Sequence, residues 1–280
     1  MKRLLSLISV LLILGSLSAS PSFKPFVETE QGAISIVHHT YENKTNKSDP
    51  SVQFDYIQQG GQELLYPFSR YAIGATFNDR HRVWFTYQPL TLVTNVEFQE
   101  DVHIGTETFT AGTAMELTYS FPFYRATYTY DLLKNNDNAV LGVGLAMQIR
   151  NASIRFVAID GSNAYVTQNI GLVPALALYS EYRVSPNLVL SADIVGSYAS
   201  SAFFNGADFD FSGSLLDASL RMTYELKQGF DLFGTMRFFG GTSDGTSTAG
   251  GESWTESTDK YTQNNIASLT FSAGASWKLR

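Results

Sequence analysis

Leu216-Asp217-Ala218-Ser219-Leu220-Arg221-Met222-Thr223-Tyr224-Glu225-Leu226 decides how this chain is read. Every even position is apolar, and Asp217, Ser219, Arg221, Thr223 and Glu225 lie between. A period of two sends successive side chains to opposite faces, so this is a β-strand with one greasy and one ionic side. After Lys227-Gln228-Gly229 the pattern resumes as Phe230, Leu232, Gly234, Met236 and Phe238 against Asp231, Thr235 and Arg237, with Phe233 and Phe239 on the polar side. So tight a connector makes the two strands a hairpin.

The alternation extends along the chain. Leu172, Leu176, Leu178, Tyr182 and Val184 lead into Ser185-Pro186-Asn187, and Leu188, Leu190, Ala192 and Ile194 leave it. Tyr71, Ile73 and Phe77 precede Asn78-Asp79-Arg80-His81, and Val83, Phe85 and Tyr87 follow. Tyr124, Tyr128, Tyr130 and Leu132 precede residues 134–138, and Leu141, Val143, Leu145, Met147 and Ile149 follow. Short polar turns of this kind join antiparallel neighbours. Two strands change parity in mid-course. Met115, Leu117, Tyr119, Phe121 and Phe123 are odd, whereas the apolar set is even from Tyr124; Ile149 is odd, whereas Ile154 and Phe156 are even. With the turn centred near Asn136, Pro122 and Arg150 face one another, and matching bulges in one long hairpin account for both changes. That reading gives ten strands, at about 51–59, 67–78, 81–98, 107–133, 138–160, 164–184, 187–199, 212–226, 229–241 and 263–280. A turn at each slip would give about twelve strands, and eight is the other alternative.

Composition narrows the class. Among 280 residues, 19 are Lys or Arg and 26 Asp or Glu, a formal charge of -7, with 16% charged and 14% aromatic residues. Such a chain lacks the basic footprint of a nucleic-acid binder. The absence of cysteine removes zinc fingers, iron–sulfur clusters, thiol catalysis, disulfides and a lipoprotein anchor together. Lys2, Arg3, the apolar run from Leu4 to Leu14 and the small residues from Gly15 to Ser20 read as a signal peptide over 1–20, cleaved near Ser18 to Ser20. Residues 21–50 form an N-terminal segment with some strand character at Ala33, Ile34, Ile36 and Val37, and residues 51–280 form the β-domain. No later stretch approaches the ~18 consecutive apolar residues of a helical span.

The polar faces carry Arg70, Arg82, Arg125, Arg150, Arg155, Arg183, Arg221 and Arg237 beside Glu116, Asp131, Glu181, Asp193, Asp217, Glu225 and Asp231. That mixture suits the wet face of a soluble sandwich as well as a lumen. Rim asymmetry tips the balance: tight turns fall on one side, and the connectors 99–106, 200–211 and the Gly/Ser/Thr-rich 241–262 fall on the other. At the end, Ala267, Leu269, Phe271, Ala273, Ala275, Trp277 and Leu279 alternate with Ser268, Thr270, Ser272, Gly274, Ser276, Lys278 and Arg280. This closing strand resembles the C-terminal assembly signal of Gram-negative outer-membrane barrels, departing from it by ending in Arg280 rather than an aromatic residue.

In pattern, the chain beyond the signal peptide resembles the broad OmpA/OmpX/OmpW-like group of small outer-membrane barrels. The resemblance implies an all-β fold, a closed antiparallel up-and-down transmembrane β-barrel in the bacterial outer membrane. Its partners would be outer-membrane lipid and, during insertion, the barrel-assembly machinery. Apolar faces then meet lipid, with Tyr128, Tyr130, Tyr182, Tyr224 and Trp277 in interface girdles and Trp84 either there or in the lumen. At about ten strands the interior is narrow, so arginines and carboxylates should pair across it and leave a plugged or very narrow lumen.

The sequence assigns no catalytic, cofactor-binding or metal-ligating residue and implies no cofactor. The histidines are His38, His39, His81 and His103; adjacent His38 and His39 point to opposite faces and cannot share a metal from a regular strand. His103, beside Glu100 and Asp101 in an outer connector, is the one catalytic candidate, and reads better as an exposed loop histidine because no nucleophile motif accompanies it. Gly142-Val143-Gly144 lacks the setting of a dinucleotide loop and reads as strand packing. Four roles follow in order: a non-enzymatic barrel with a structural or surface-interaction role, displaying loops such as 241–262 to a surface partner; a small channel for small or hydrophobic solutes; a lipid-modifying enzyme or protease at the outer rim; and a secreted β-sandwich binding module.

Overall fold

The computed structural model describes residues 23–44, 53–201, 211–226, 229–246 and 261–278, apart from the side chains of Arg150 and Asn169. Residues 1–20, read above as a signal peptide, and most of the 200–211 and 241–262 connectors lie outside the described residues. In chain order the strands are β1 (Phe23–Lys44), β2 (Phe54–Asp55), β3 (Tyr66–Phe77), β4 (His81–Gln88), β5 (Thr91–Glu97), β6 (Val102–Ile104), β7 (Glu107–Phe109), β8 (Ala114–Ser120), β9 (Phe123–Asp131), β10 (Ala139–Ala158), β11 (Ala164–Ser185), β12 (Leu188–Ser200), β13 (Phe211–Glu225), β14 (Phe230–Thr246) and β15 (Tyr261–Lys278). The order β11-β12-β13-β14-β15-β1-β3-β4-β9-β10 returns to β11 through the β10–β11 ladder, closing an antiparallel barrel of 10 strands. β5 and β8 continue β4 and β9 beyond short breaks, and β6 with β7 forms a separate hairpin. Short connections gather on one rim, the periplasmic one in barrels of this kind. One is the Asn78-Asp79 turn, where positive φ angles of 50° and 54° match the twist of a tight hairpin.

The first barrel strand is β1 and not residues 51–59. β1 pairs with β15 on one side and β3 on the other, whereas Phe54 and Tyr56 are buried inside the outer half of the barrel. Its alternation is hard to hear because polar Thr29, Gln31 and Ser35 interrupt the outward apolar residues Val27, Ala33 and Val37, while Phe26, Ile34 and Ile36 point inward. A bulge between Ile36 and His38 shifts its outer end. Residues 107–109 likewise belong to the separate hairpin, so that barrel strand starts at Ala114.

The bulges expected opposite Pro122 and Arg150 do not exist. Arg150 pairs with Phe123 and Ser153 with Ser120, an unbroken register. On this chain segment the odd residues stay inside throughout: Arg125, Thr127, Thr129 and Asp131 below, Met115, Leu117, Tyr119, Phe121 and Phe123 above. On β10 the even residues do the same, from Gln148 to Ile154 and Phe156. What changes is the surroundings. Where lipid lies outside, apolar side chains face out and polar ones in; above the membrane water lies outside, and the arrangement inverts to that of a soluble protein.

The lipid-facing belt includes Val143, Leu145, Met147, Leu172, Leu176, Leu220, Met222, Leu232 and Phe271, all exposed. Tyr182, Tyr224 and Trp277 edge it on the short-turn side, and Tyr71, Tyr87 and Tyr124 stack into an upper edge. Trp84, by contrast, is buried in the lumen against Tyr179. Leu220 lies mid-belt on β13. Leu220→Arg is expected to destabilise the inserted barrel by about 2–4 kcal/mol, read as a lower urea midpoint in lipid vesicles, with Ser214→Arg near the upper edge costing under ~1 kcal/mol.

Candidate functional site

The lumen has three storeys. Nearest the short-turn rim is an open polar vestibule of about 680 Å³. Arg183 binds Glu225 with both terminal nitrogens at 2.6 and 3.2 Å, and Lys278 bridges Glu225 and Asp231 at 3.0 and 2.9 Å. Deeper in the same vestibule, Arg221 reaches Glu28 at 2.9 Å, and Arg82 reaches Glu181, which also accepts from the Tyr179 hydroxyl.

At mid-height the walls meet. Asp217 of β13 accepts from Arg125 of β9 at 2.6 Å and from Arg237 of β14, including an Nη2 contact of 2.7 Å. Arg125 also donates to Gln148 Oε1 from Nε and Nη2, and Arg237 to Gln88. Arg70 lies between Glu30 and Asp193 at 3.7 and 3.8 Å. Arg125, Arg237 and Asp217 are 2–5% exposed, so both guanidinium groups are taken out of water and depend on these partners. The glycines fit the same crowding: a Cβ on Gly144 would stand 1.8 Å from the Tyr128 carbonyl oxygen, which explains Gly142-Val143-Gly144 as close strand packing.

The third storey is apolar. Tyr41, Phe54, Tyr56, Phe98, Phe109 and Phe156 interlock with ring centroids 5.0–6.3 Å apart. His39, fully buried, stacks on Tyr56 at 4.0 Å while its Nδ1 bonds Gln62; His38 is exposed on the opposite face. No sequence reading reached this core, although the odd apolar run Met115 to Phe123 was its signal.

The candidate at His103 does not assemble. Its Nδ1 bonds Thr108 at 2.9 Å, Glu100 accepts from Gln59, and Asp101 accepts from the Ala111 amide, so the three groups are turned to different partners. His81 bonds the Tyr128 hydroxyl on the outer surface. Among the described residues no group of three or more His, Asp or Glu is placed to hold a metal ion.

A closed sheet with a lipid-facing belt and a polar interior defines an integral outer-membrane β-barrel protein of the Gram-negative type. No protein-family model and no curated protein sequence matches the chain. Among solved structures it is similar to the outer membrane protease OmpT from Escherichia coli, with TM-score 0.56 and 10% identity over 94% of this chain and 100% of that one. Weaker likenesses are the attachment invasion locus protein Ail of Yersinia pestis, TM-score 0.36, 9% identity, covering 90% of this chain and 99% of that one, and a Pseudomonas aeruginosa FadL homologue, TM-score 0.34, 8% identity, covering 92% and 90%.

Proposed function

We propose that this protein is a non-enzymatic, non-conducting barrel with a structural or surface-interaction role, whose working surface is the crown that stands above the membrane. The observation that carries this reading is the double obstruction of the lumen, first by the Arg125–Asp217–Arg237 layer and then by the aromatic core packed around Phe54 and Tyr56. An ion on the barrel axis would have to separate both. The crown's outer face bears Asn95, Glu97, Glu116, Asn151 and Arg155, a solvated surface of mixed charge suited to display and to a polar partner. The last described pair of β14 and β15, Thr246 and Tyr261, lies at the crown end of their ladder, which supports a surface partner met through the 241–262 connector.

Planar-bilayer recording of the purified barrel tests the reading. No stepwise conductance is expected at ±100 mV, a voltage of the order of a membrane potential. Reproducible unit steps from the unmodified protein would replace this role with that of a small channel.

A further inference from the structure

The barrel wall is not laddered throughout. The β11–β12 pairing stops at Leu176–Gly196, although β11 runs on to Ala164 and β12 to Ser200. Pro174 ends it. Its carbonyl oxygen faces β12, where it accepts from Ser197 Oγ at 2.6 Å, so its nitrogen faces β12 as well and has no proton to give. Above this point β11 stays with β10 and β12 with β13, and the two strands part.

Behind the split lies a cavity of about 220 Å³. Phe121, Phe239, Leu215 and Phe211, whose ring lies against Gly213, give it apolar walls, and Ala199 and Gly241 leave room on the β12 and β14 sides. A Cβ on Gly241 would have no atom closer than 3.7 Å. The lining also includes Leu172 and Pro174, which are exposed on the outer surface of β11. The cavity therefore reaches through the wall, at the height where the apolar belt ends.

Two polar groups border this apolar space without a partner. Gln148 is fully buried; its Oε1 is held by Arg125, which fixes the amide orientation and leaves Nε2 as a donor with no acceptor. Asn264 donates to the Tyr119 hydroxyl, and its Oδ1 is buried with nothing donating to it. A buried donor left unpaired is costly, and a ligand oxygen would satisfy it.

We infer that this cavity is a binding site for a small amphiphile, a single ring or short alkyl chain carrying one hydrogen-bond acceptor, which enters sideways from the outer leaflet between β11 and β12. The size agrees: an apolar cavity of about 150 Å³ holds benzene, and this one has room for a ring with a carbonyl substituent. The site lies above the charged layer, so binding requires no passage through the barrel.

Acetophenone and ethylbenzene, nearly equal in shape and differing in the oxygen, are the probes. The full barrel in lipid nanodiscs is titrated with each while the Gln148 side-chain amide is followed by NMR. Acetophenone should give a saturable shift and bind roughly tenfold more tightly than ethylbenzene, the scale of one added hydrogen bond. Gly241→Leu, which fills the cavity, should weaken acetophenone at least tenfold; Ala199→Leu serves if that variant does not fold. Non-saturating shifts, or shifts unchanged in the filled variant, mean partition into lipid and overturn the site. Equal saturable binding of both probes overturns the assignment of an acceptor-bearing ligand.

Discussion

Asp217→Ala is expected to destabilise the folded barrel by about 3–5 kcal/mol, the cost of leaving a buried charge without its partner. Asp217 joins Arg125 and Arg237, which are 3% and 2% exposed. Neither guanidinium can turn to water, and Gln148 and Gln88 offer neutral oxygens only. Glu225→Ala removes an equally well-formed pair with Arg183, but in the open vestibule, where Arg183 is 35% exposed and water replaces the lost oxygen. Its cost should stay below ~1 kcal/mol. The check is the urea midpoint of both variants in the same vesicles, followed by the shift in gel migration between unboiled and boiled samples. Equal losses would mean that the mid-height layer is wet, and the description of the lumen as closed there would fail with it.

Phe156→Ala should cost about 3–5 kcal/mol, a loss typical of emptying a large aromatic site in a packed core. Phe156 is fully buried and touches Phe54, Tyr56, Phe109 and Tyr165. Its neighbour Arg155 faces out and pairs in register with Val166 and Thr118. Arg155→Leu is therefore a surface change in water, worth no more than ~0.5 kcal/mol. Were this height in lipid, the same change would remove a charge from hydrocarbon and stabilise the barrel. Unfolding midpoints of the two variants, with amide exchange to locate the loss in the crown, separate the cases.

Alternation made most of the barrel legible: the hairpins at Asn78-Asp79, Pro186-Asn187 and around Gly229 fall where the pattern requires, and Arg125, Asp217 and Arg237, read as polar-face residues, pair in the lumen, whereas Glu116 and Arg155, read on the same faces, lie outside on the crown. Two things stayed hidden. β1 carries Thr29, Gln31 and Ser35 among Val27, Ala33 and Val37 on its outward side, so its greasy stripe is broken. The inversion at Pro122 and Arg150 was visible as a change of parity, yet period two cannot tell a strand that turns over from one whose solvent changes. The distinguishing sign is that both partners switch at the same height while the register runs on. The cavity beneath Pro174 was less accessible still, because it depends on glycines and an alanine from neighbouring strands, and absent side chains leave no pattern.

The seam where β1 meets β15 has a consequence for biogenesis. Glu30 and Ser272, bonded across this seam on its inner face, are separated by 242 positions, and the ladder around them is among the longest in the sheet. Ladders between neighbouring hairpins can form as soon as each is made, but this one has to wait for the last strand. Until then a curved ribbon carries two naked margins, one at each end, which hydrocarbon cannot tolerate and which invite pairing with other chains. Insertion and cylinder closure are thus one event, timed by arrival of the final segment, and a chain cut short before Tyr261 would remain an unsealed ribbon rather than become a smaller barrel.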